Sequence, residues 1–305
     1  MTEAPALTII IPHLDAPQAL ARCLAALADQ RGDGVAFEIV VVDNGSARLP
    51  AAECAAHPFV RLIGEPTPGP GPARNTGAGL ARADLLAFID CDCIAQPGWV
   101  AAIAGHFGAH PETGVIGGDV RIERADPQRL TAIEAYESVY GYRFQLYIER
   151  HHYSGAGNMA VRRAIFERVG GFGGIRIAED MDWGRRATAL GVRIDYVPQM
   201  RITTAARDDF RQLTRKWDRH IGHDFETVSG IGGRLRWGLR ALALAVSPLV
   251  EIARLLRSDR ISGRRERGLA FLCLARIRLY RSRRMLSLLL GGDGRAMSDA
   301  WRGRG

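Results

Sequence analysis

Apolar and polar positions follow two rhythms along the first 200 residues. Leu7-Thr-Ile-Ile-Ile-Pro12, Phe37-Glu-Ile-Val-Val-Val42 and residues 59–63 are short runs rich in β-branched residues, the pattern of buried strands. The first of these is expected to end at Pro12, which cannot donate to a ladder. Between them, Leu20, Cys23, Leu24 and Leu27 recur at helical spacing within residues 17–30, with Asp15 placed to cap that helix. A helix over residues 73–82 then leads into Leu85-Leu-Ala-Phe-Ile-Asp-Cys-Asp-Cys93, five apolar residues with an acidic end. Further on, helices are predicted over 97–107, 127–150, 162–169 and 179–190, and strands over 114–120 and 194–197. Strand and helix alternating across short connections predict an α/β fold, a mostly parallel, doubly wound sheet flanked by helices.

Composition narrows the class. An apolar fraction of 47% over 305 residues supports a sizeable core. Five cysteines without Cys-x-x-Cys spacing fit neither a disulfide framework nor a zinc site, which points to a reducing cytoplasmic setting. The amino terminus lacks the basic and apolar regions of a secretory signal. Charge is divided unevenly: residues 1–200 carry 18 basic and 23 acidic side chains, the remainder 23 and 10. All the basic residues but Lys216 are arginine. The Gly69-Pro-Gly71 run has the wrong spacing for a dinucleotide loop, and no Gly-Lys-Ser/Thr sequence marks a P-loop.

The candidate chemistry is acidic. In an extended chain Asp90 and Asp92 share a face, so both carboxylates can enter one space beyond the carboxyl edge of the sheet, where open α/β sheets bind ligands. A hard cation such as Mg²⁺ or Mn²⁺ suits two such oxygens. The plainer alternative is a solvated acidic turn. Cys91 and Cys93 beside them read as small packing residues. A second acidic group, Glu179-Asp-Met-Asp-Trp183, opens a helix, where carboxylates also serve simply as dipole partners.

The chain resembles the inverting family-2 glycosyltransferases of the GT-A (Rossmann-like) fold. The motifs, in order, are Ile9-Ile-Ile-Pro12, Val41-Val-Asp-Asn-Gly-Ser46, Ala73-Arg-Asn-Thr-Gly77, Asp90-Cys-Asp92, Gly157-Asn158, Gly170-Gly-Phe172 and Glu179-Asp180 with Arg186. The resemblance implies a glycosyltransferase domain over residues 1–225 that binds a nucleoside-diphosphate sugar. Pro12, His13, Asp15, Asp43, Arg74, Asn75, Asp90, Cys91 and Asp92 would lie toward the donor. Asp90 and Asp92 would also hold a divalent metal, with His220 or His223 as a further ligand. Asp180 would be the general base, with Asn158, Glu179 and Trp183 toward a glycan or lipid-linked acceptor. His13-Leu-Asp15 departs from the Thr-Tyr-Asn-like sequence of many members.

Residues 226–305 read as a basic, helical, membrane-associating extension. The run Ala241-Leu-Ala-Leu-Ala-Val-Ser-Pro-Leu-Val250 is too short to span a bilayer, and the apolar residues 268–290 carry Arg276, Arg278, Arg281, Arg283 and Arg284. Such helices suit the anionic inner face of a membrane. No nucleic-acid motif accompanies the arginines. A sugar-1-phosphate nucleotidyltransferase and a non-catalytic nucleotide-sugar sensor are the rival readings.

Overall fold

The computed structural model describes residues 4–32, 34–126, 128–174, 178–292 and 294. They divide into two compact units, Met1–Arg121 with Arg143–Thr204, and Ile122–Tyr142 with Ala205–Gly305.

The first unit is built on a sheet. In chain order its elements are β1 (Leu7–His13), α1 (Pro17–Ala28), β2 (Phe37–Asp43), α2 (Ala51–Ala55), β3 (Val60–Gly64), α3 (Pro70–Gly79), β4 (Leu85–Ile89), β5 (Cys93–Ala95), α4 (Trp99–Ala109) and β6 (Val115–Glu123). After α5 (Ala132–Tyr140) come α6 (Phe144–His151), β7 (Asn158–Arg162), α7 (Arg163–Val169), α8 (Glu179–Ala189) and β8 (Ile194–Ala205). The strand order is β3-β2-β1-β4-β7-β6-β8-β5. β3, β2, β1 and β4 are parallel neighbours, as βαβ crossovers require, whereas β7 runs antiparallel between β4 and β6. This α/β arrangement agrees with the GT-A type.

β1 and β2 are buried along their whole length, as their composition predicts, whereas β3, at the edge of the sheet, is only half-buried. β1 nonetheless continues through Pro12 to His13. The helix over 17–28 buries Leu20, Cys23, Leu24 and Leu27, but Asp15 does not cap it: Asp15 adopts φ 49° and its carboxylate accepts from the Ala47 amide at 2.8 Å. α3 starts at Pro70, not at residue 73, because prolines fit a first helical turn, whose amides need no helical partner. β8 extends to Ala205, well beyond the strand expected over 194–197, and Gly118 of β6 makes room for it: a Cβ there would collide with the Met200 carbonyl.

The second unit is helical. α5 opens on a capping box in which Glu134 N donates to Thr131 Oγ1 at 3.1 Å and Thr131 N donates to Glu134 Oε2 at 2.6 Å. The aromatic stretch over 127–150 is therefore two helices, α5 and α6, parted at 141–143. Pro127 lies outside the described residues. α9 (Phe210–Glu226), α10 (Gly230–Val246), a 3₁₀ turn (Ser247–Glu251), α11 (Ile252–Arg257) and α12 (Gly263–Leu289) complete the unit.

α12 is its central helix, not a free amphipathic one. It buries Ala270, Cys273, Leu274, Ile277, Met285 and Leu288 against α5, α9 and α10. Its arginines are largely engaged within the unit. Arg276 stacks on Phe210, Arg278 donates to Glu251 at 2.8 Å, Arg281 lies 3.5 Å from the Trp217 ring centroid, and Arg284 donates to Asp218 at 3.1 Å. Among the described residues no helix is long and apolar enough to cross a membrane.

Candidate active site

Because β1 pairs in parallel with both β2 and β4, three strand ends reach one edge of the sheet. His13 lies level with Asp43, and Asp90 follows the last residue of β4. The Ala16 amide donates to His13 Nε2 at 3.2 Å, which leaves the Nδ1 hydrogen for Asp43 Oδ1 at 2.9 Å. Ser46 Oγ donates to the same carboxylate at 2.6 Å, and the Gly45 and Ser46 amides donate to its other oxygen. Burial alone would raise the pKa of Asp43, but the bonds from Ser46 and His13 outweigh it and hold the carboxyl below its ordinary range. Asp43 is thus enclosed and fully bonded, a post for the two loops rather than an open contact for a base. Pro12 and His13 are also buried; Asp15 is exposed.

The acidic motif folds differently from the extended chain expected. β4 stops at Ile89, and the Cys93 amide donates to the Asp90 carbonyl at 3.0 Å, closing a turn over Asp90-Cys91-Asp92. Turn geometry, not pleat, brings the carboxylates near each other. Burial, then the charge of Asp90, raises the pKa of Asp92. Gly157 is needed opposite, since a Cβ there would strike the Asp90 carboxylate. The Cys91 thiol is pushed up to about 12 by burial and by Asp92 and Asp90, so it remains a thiol and a poor metal ligand.

Arg74 joins this turn to the second acidic group. Only 4% exposed, it donates to Asp90 Oδ1 at 2.7 Å and to Glu179 Oε1 at 3.2 Å, with Phe172 against its guanidinium. Burial would lower its pKa, but Asp90 and Glu179 overcome that and raise it. Asn75, one residue on, is spent on the chain itself: its amide donates to the Phe172 carbonyl at 2.9 Å and accepts from the Phe172 amide at 2.7 Å. It clamps the Gly170-Gly-Phe172 loop against α3.

α8 begins at Glu179, so Glu179 and Asp180 project from its first turn. The pKa of Asp180 is raised, by burial first and by Glu179 next, against the Met181 amide bond and Arg74. Trp183 is 1% exposed, stacked on Phe166 with Phe172 tilted against it, and donates to the Gly170 carbonyl at 2.8 Å. Asn158 is wholly buried, accepting from Trp99 Nε1 at 2.9 Å and donating to the Asp119 and Met200 carbonyls. Both therefore support the site from behind and do not offer an acceptor a surface. Tyr153, which the sequence does not single out, packs on Tyr147 with centroids 5.3 Å apart. Burial, then Tyr147 and the charge of nearby Asp180, pushes its hydroxyl up to about 12. Its lone position between His152 and Ser154 carries no signal.

The Asp90–Asp92 turn fits a hard divalent cation. Asp92 makes no ion pair among the described residues, and a cation there would offset both causes of its raised pKa, burial first and then the charge of Asp90. Among the described residues no group of three or more His, Cys, Asp or Glu is placed to hold an ion, so the rest of such a shell would come from substrate oxygens or water. His220 belongs to α9 in the second unit, beside Trp217 with ring centroids 5.7 Å apart.

The sequence profile described as Glycosyl transferase family 2 matches residues 8–170. The chain belongs to that family and is a glycosyltransferase, which sets the nucleotidyltransferase reading aside. Glycosyltransferase AglE of Haloferax volcanii is 30% identical over 224 residues, 70% of this chain and 70% of that protein. The pre-mycofactocin glycosyltransferase of Mycobacterium tuberculosis is 28% identical over 223 residues, 69% of this chain but 44% of its own length. Among solved structures, the mannosyltransferase PcManGT from Pyrobaculum calidifontis, in complex with GDP-Man and Mn²⁺, is 18% identical with a TM-score of 0.48, over 99% of this chain and 80% of that one.

Proposed function

We propose that the protein moves a sugar, with inversion, from a nucleoside-diphosphate sugar to a hydroxyl of a glycan or lipid-linked acceptor. The setting proposed is polysaccharide or glycolipid synthesis at the cytoplasmic face of the membrane. One observation carries this reading: the buried guanidinium of Arg74 bonds both Asp90 and Glu179, which unites two acidic groups ninety residues apart in sequence. Those groups divide the work. The Asp90–Asp92 turn faces the donor diphosphate, and Asp90 and Asp92 would hold Mg²⁺ or Mn²⁺. When bound, that ion supplies positive charge to the leaving diphosphate.

Asp180 takes the proton of the acceptor hydroxyl. Its raised pKa, set first by burial, makes it a stronger base than an ordinary aspartate. Glu179, held by Arg74, keeps the start of α8 in place. A single base acting on the face of the sugar away from the diphosphate gives one displacement, and one displacement inverts.

Asp180→Asn tests the assignment. Transfer is expected to fall by about 10²- to 10⁴-fold while calorimetry with nucleoside diphosphate and Mn²⁺ shows unaltered donor-side binding. Transfer at the original rate would remove Asp180 from the mechanism. Undiminished biological function in that variant would instead favour the sensor.

A further inference from the structure

The second unit exposes an apolar face that its own packing leaves uncovered. Ile231, Leu235, Leu239, Leu242 and Val246 of α10 are each 58% to 88% exposed. At 3.6 residues per turn, the five fall within an arc of about 80°. Leu249 and Val250, also exposed, continue the stripe into the following turn. The opposite side of α10 is fixed: Trp237 and Ala241 are buried with Met285 and Leu288, and Trp237 Nε1 donates to the Met285 carbonyl at 2.9 Å. The outward direction of the stripe is therefore set by the core behind it.

Charge says what covers it. Residues 230–257 hold five arginines and a single acid, Glu251, which is already bonded by Arg254 and Arg278. By helical spacing Arg236 flanks the stripe on one side and Arg234 on the other. An apolar stripe edged by arginines matches an anionic lipid surface, acyl chains against the leucines and headgroups against the guanidinium groups. A second copy of the same cationic face would be repelled.

We propose that this face of α10, with the turn that follows it, is where the protein lies in the plane of an anionic bilayer. The inference rests on the peripheral placement proposed above and is independent of the transfer chemistry. It also narrows the membrane-associating extension read from the sequence to α10 and its following turn, since the apolar side of α12 is core.

The test is flotation of the full chain with vesicles of phosphatidylcholine alone or mixed with phosphatidylglycerol. Wild type is expected to bind the anionic vesicles on the order of tenfold more than the neutral ones. Leu235→Ser/Leu239→Ser/Leu242→Ser should lose that binding at an unchanged melting temperature, and Arg234→Gln/Arg236→Gln should lose the preference for anionic lipid. Wild type that floats with neither vesicle overturns the proposal, as does a triple variant that floats like wild type. A solution dimer abolished by the triple variant, without vesicle binding, overturns it in favour of self-association. Asp180→Asn is expected to float as wild type does, so failure of the base assignment and failure of this surface give different results.

Discussion

Arg74 holds two carboxylates because a guanidinium presents separate donors in a fixed fork, and a lysine in its place could not reach both in the same geometry. The pH dependence of transfer follows from this arrangement. Asp180 works as a base only when ionised, and its folded pKa is raised, by burial first and then by Glu179. Activity is therefore lost as pH falls through a value above the ordinary aspartate figure of about 3.9. Glu179→Gln removes a neighbouring negative charge and releases Arg74 from one partner; both changes favour ionised Asp180. The acidic limb of kcat/KM is expected to move to lower pH in that variant, and a limb that stays put or rises would break the link. The acids themselves are legible in the sequence, since Asp90, Asp92, Glu179 and Asp180 stand out as types and by spacing. Their supporting contacts are not. Spacing says that Asn75, Asn158 and Trp183 occur, but not that their polar atoms turn onto Phe172, Met200 and Gly170 inside the protein.

Elements were easiest to read where period and burial agree, as in β1, β2 and α1, and hardest where another force sets the boundary. The strand at Leu85 stops early because a hydrogen-bonded turn takes Asp90 out of the ladder. α12 shows the same difficulty in reverse. Its buried positions Ala270, Leu274, Ile277, Met285 and Leu288 keep a helical period, and Arg281 falls on that stripe between Ile277 and Met285. The sequence therefore reads as a basic surface, whereas the helix draws this arginine inward over Trp217. Burial lowers its pKa to about 10, and its Nε is buried without a hydrogen-bond partner. Since the folded pKa lies below the unfolded one, the destabilising term is fully present below pH 10 and is relieved as pH rises through that value. Arg281→Met keeps an unbranched side chain against the indole without the charge. Its stability to urea is expected to match or exceed wild type by about 1 kcal/mol at neutral pH; a loss of several kcal/mol would show that the cation–ring contact dominates instead.

At the scale of the whole chain, the uneven charge separates an acidic stretch of 200 residues from a basic remainder, but packing does not follow that line. The second unit takes α5 from the middle of the sequence and combines it with α9 through α12. Tyr136 packs with Leu213, Leu274 and Ile277, while Ala135 and Val139 meet Leu255, Ile261 and Ala270. This long-range pairing has no local signature, because an amphipathic helix shows which face it will bury and not which partner will cover it. It makes a cut at residue 225 a physical test. A chain ending there keeps the sheet and every acid of the candidate site, yet leaves the buried faces of α5 and α9 without α10 and α12. Burial of apolar surface is worth about 25 cal/mol per Å², so uncovering Tyr136, Val139, Leu213 and Ile221 costs several kcal/mol of local order. The shortened chain is expected to elute as aggregate and to lose α5 first to protease, near residues 122–142. A monodisperse fragment with α5 still protected would mean that α5 and α9 are stable without the helices that cover them.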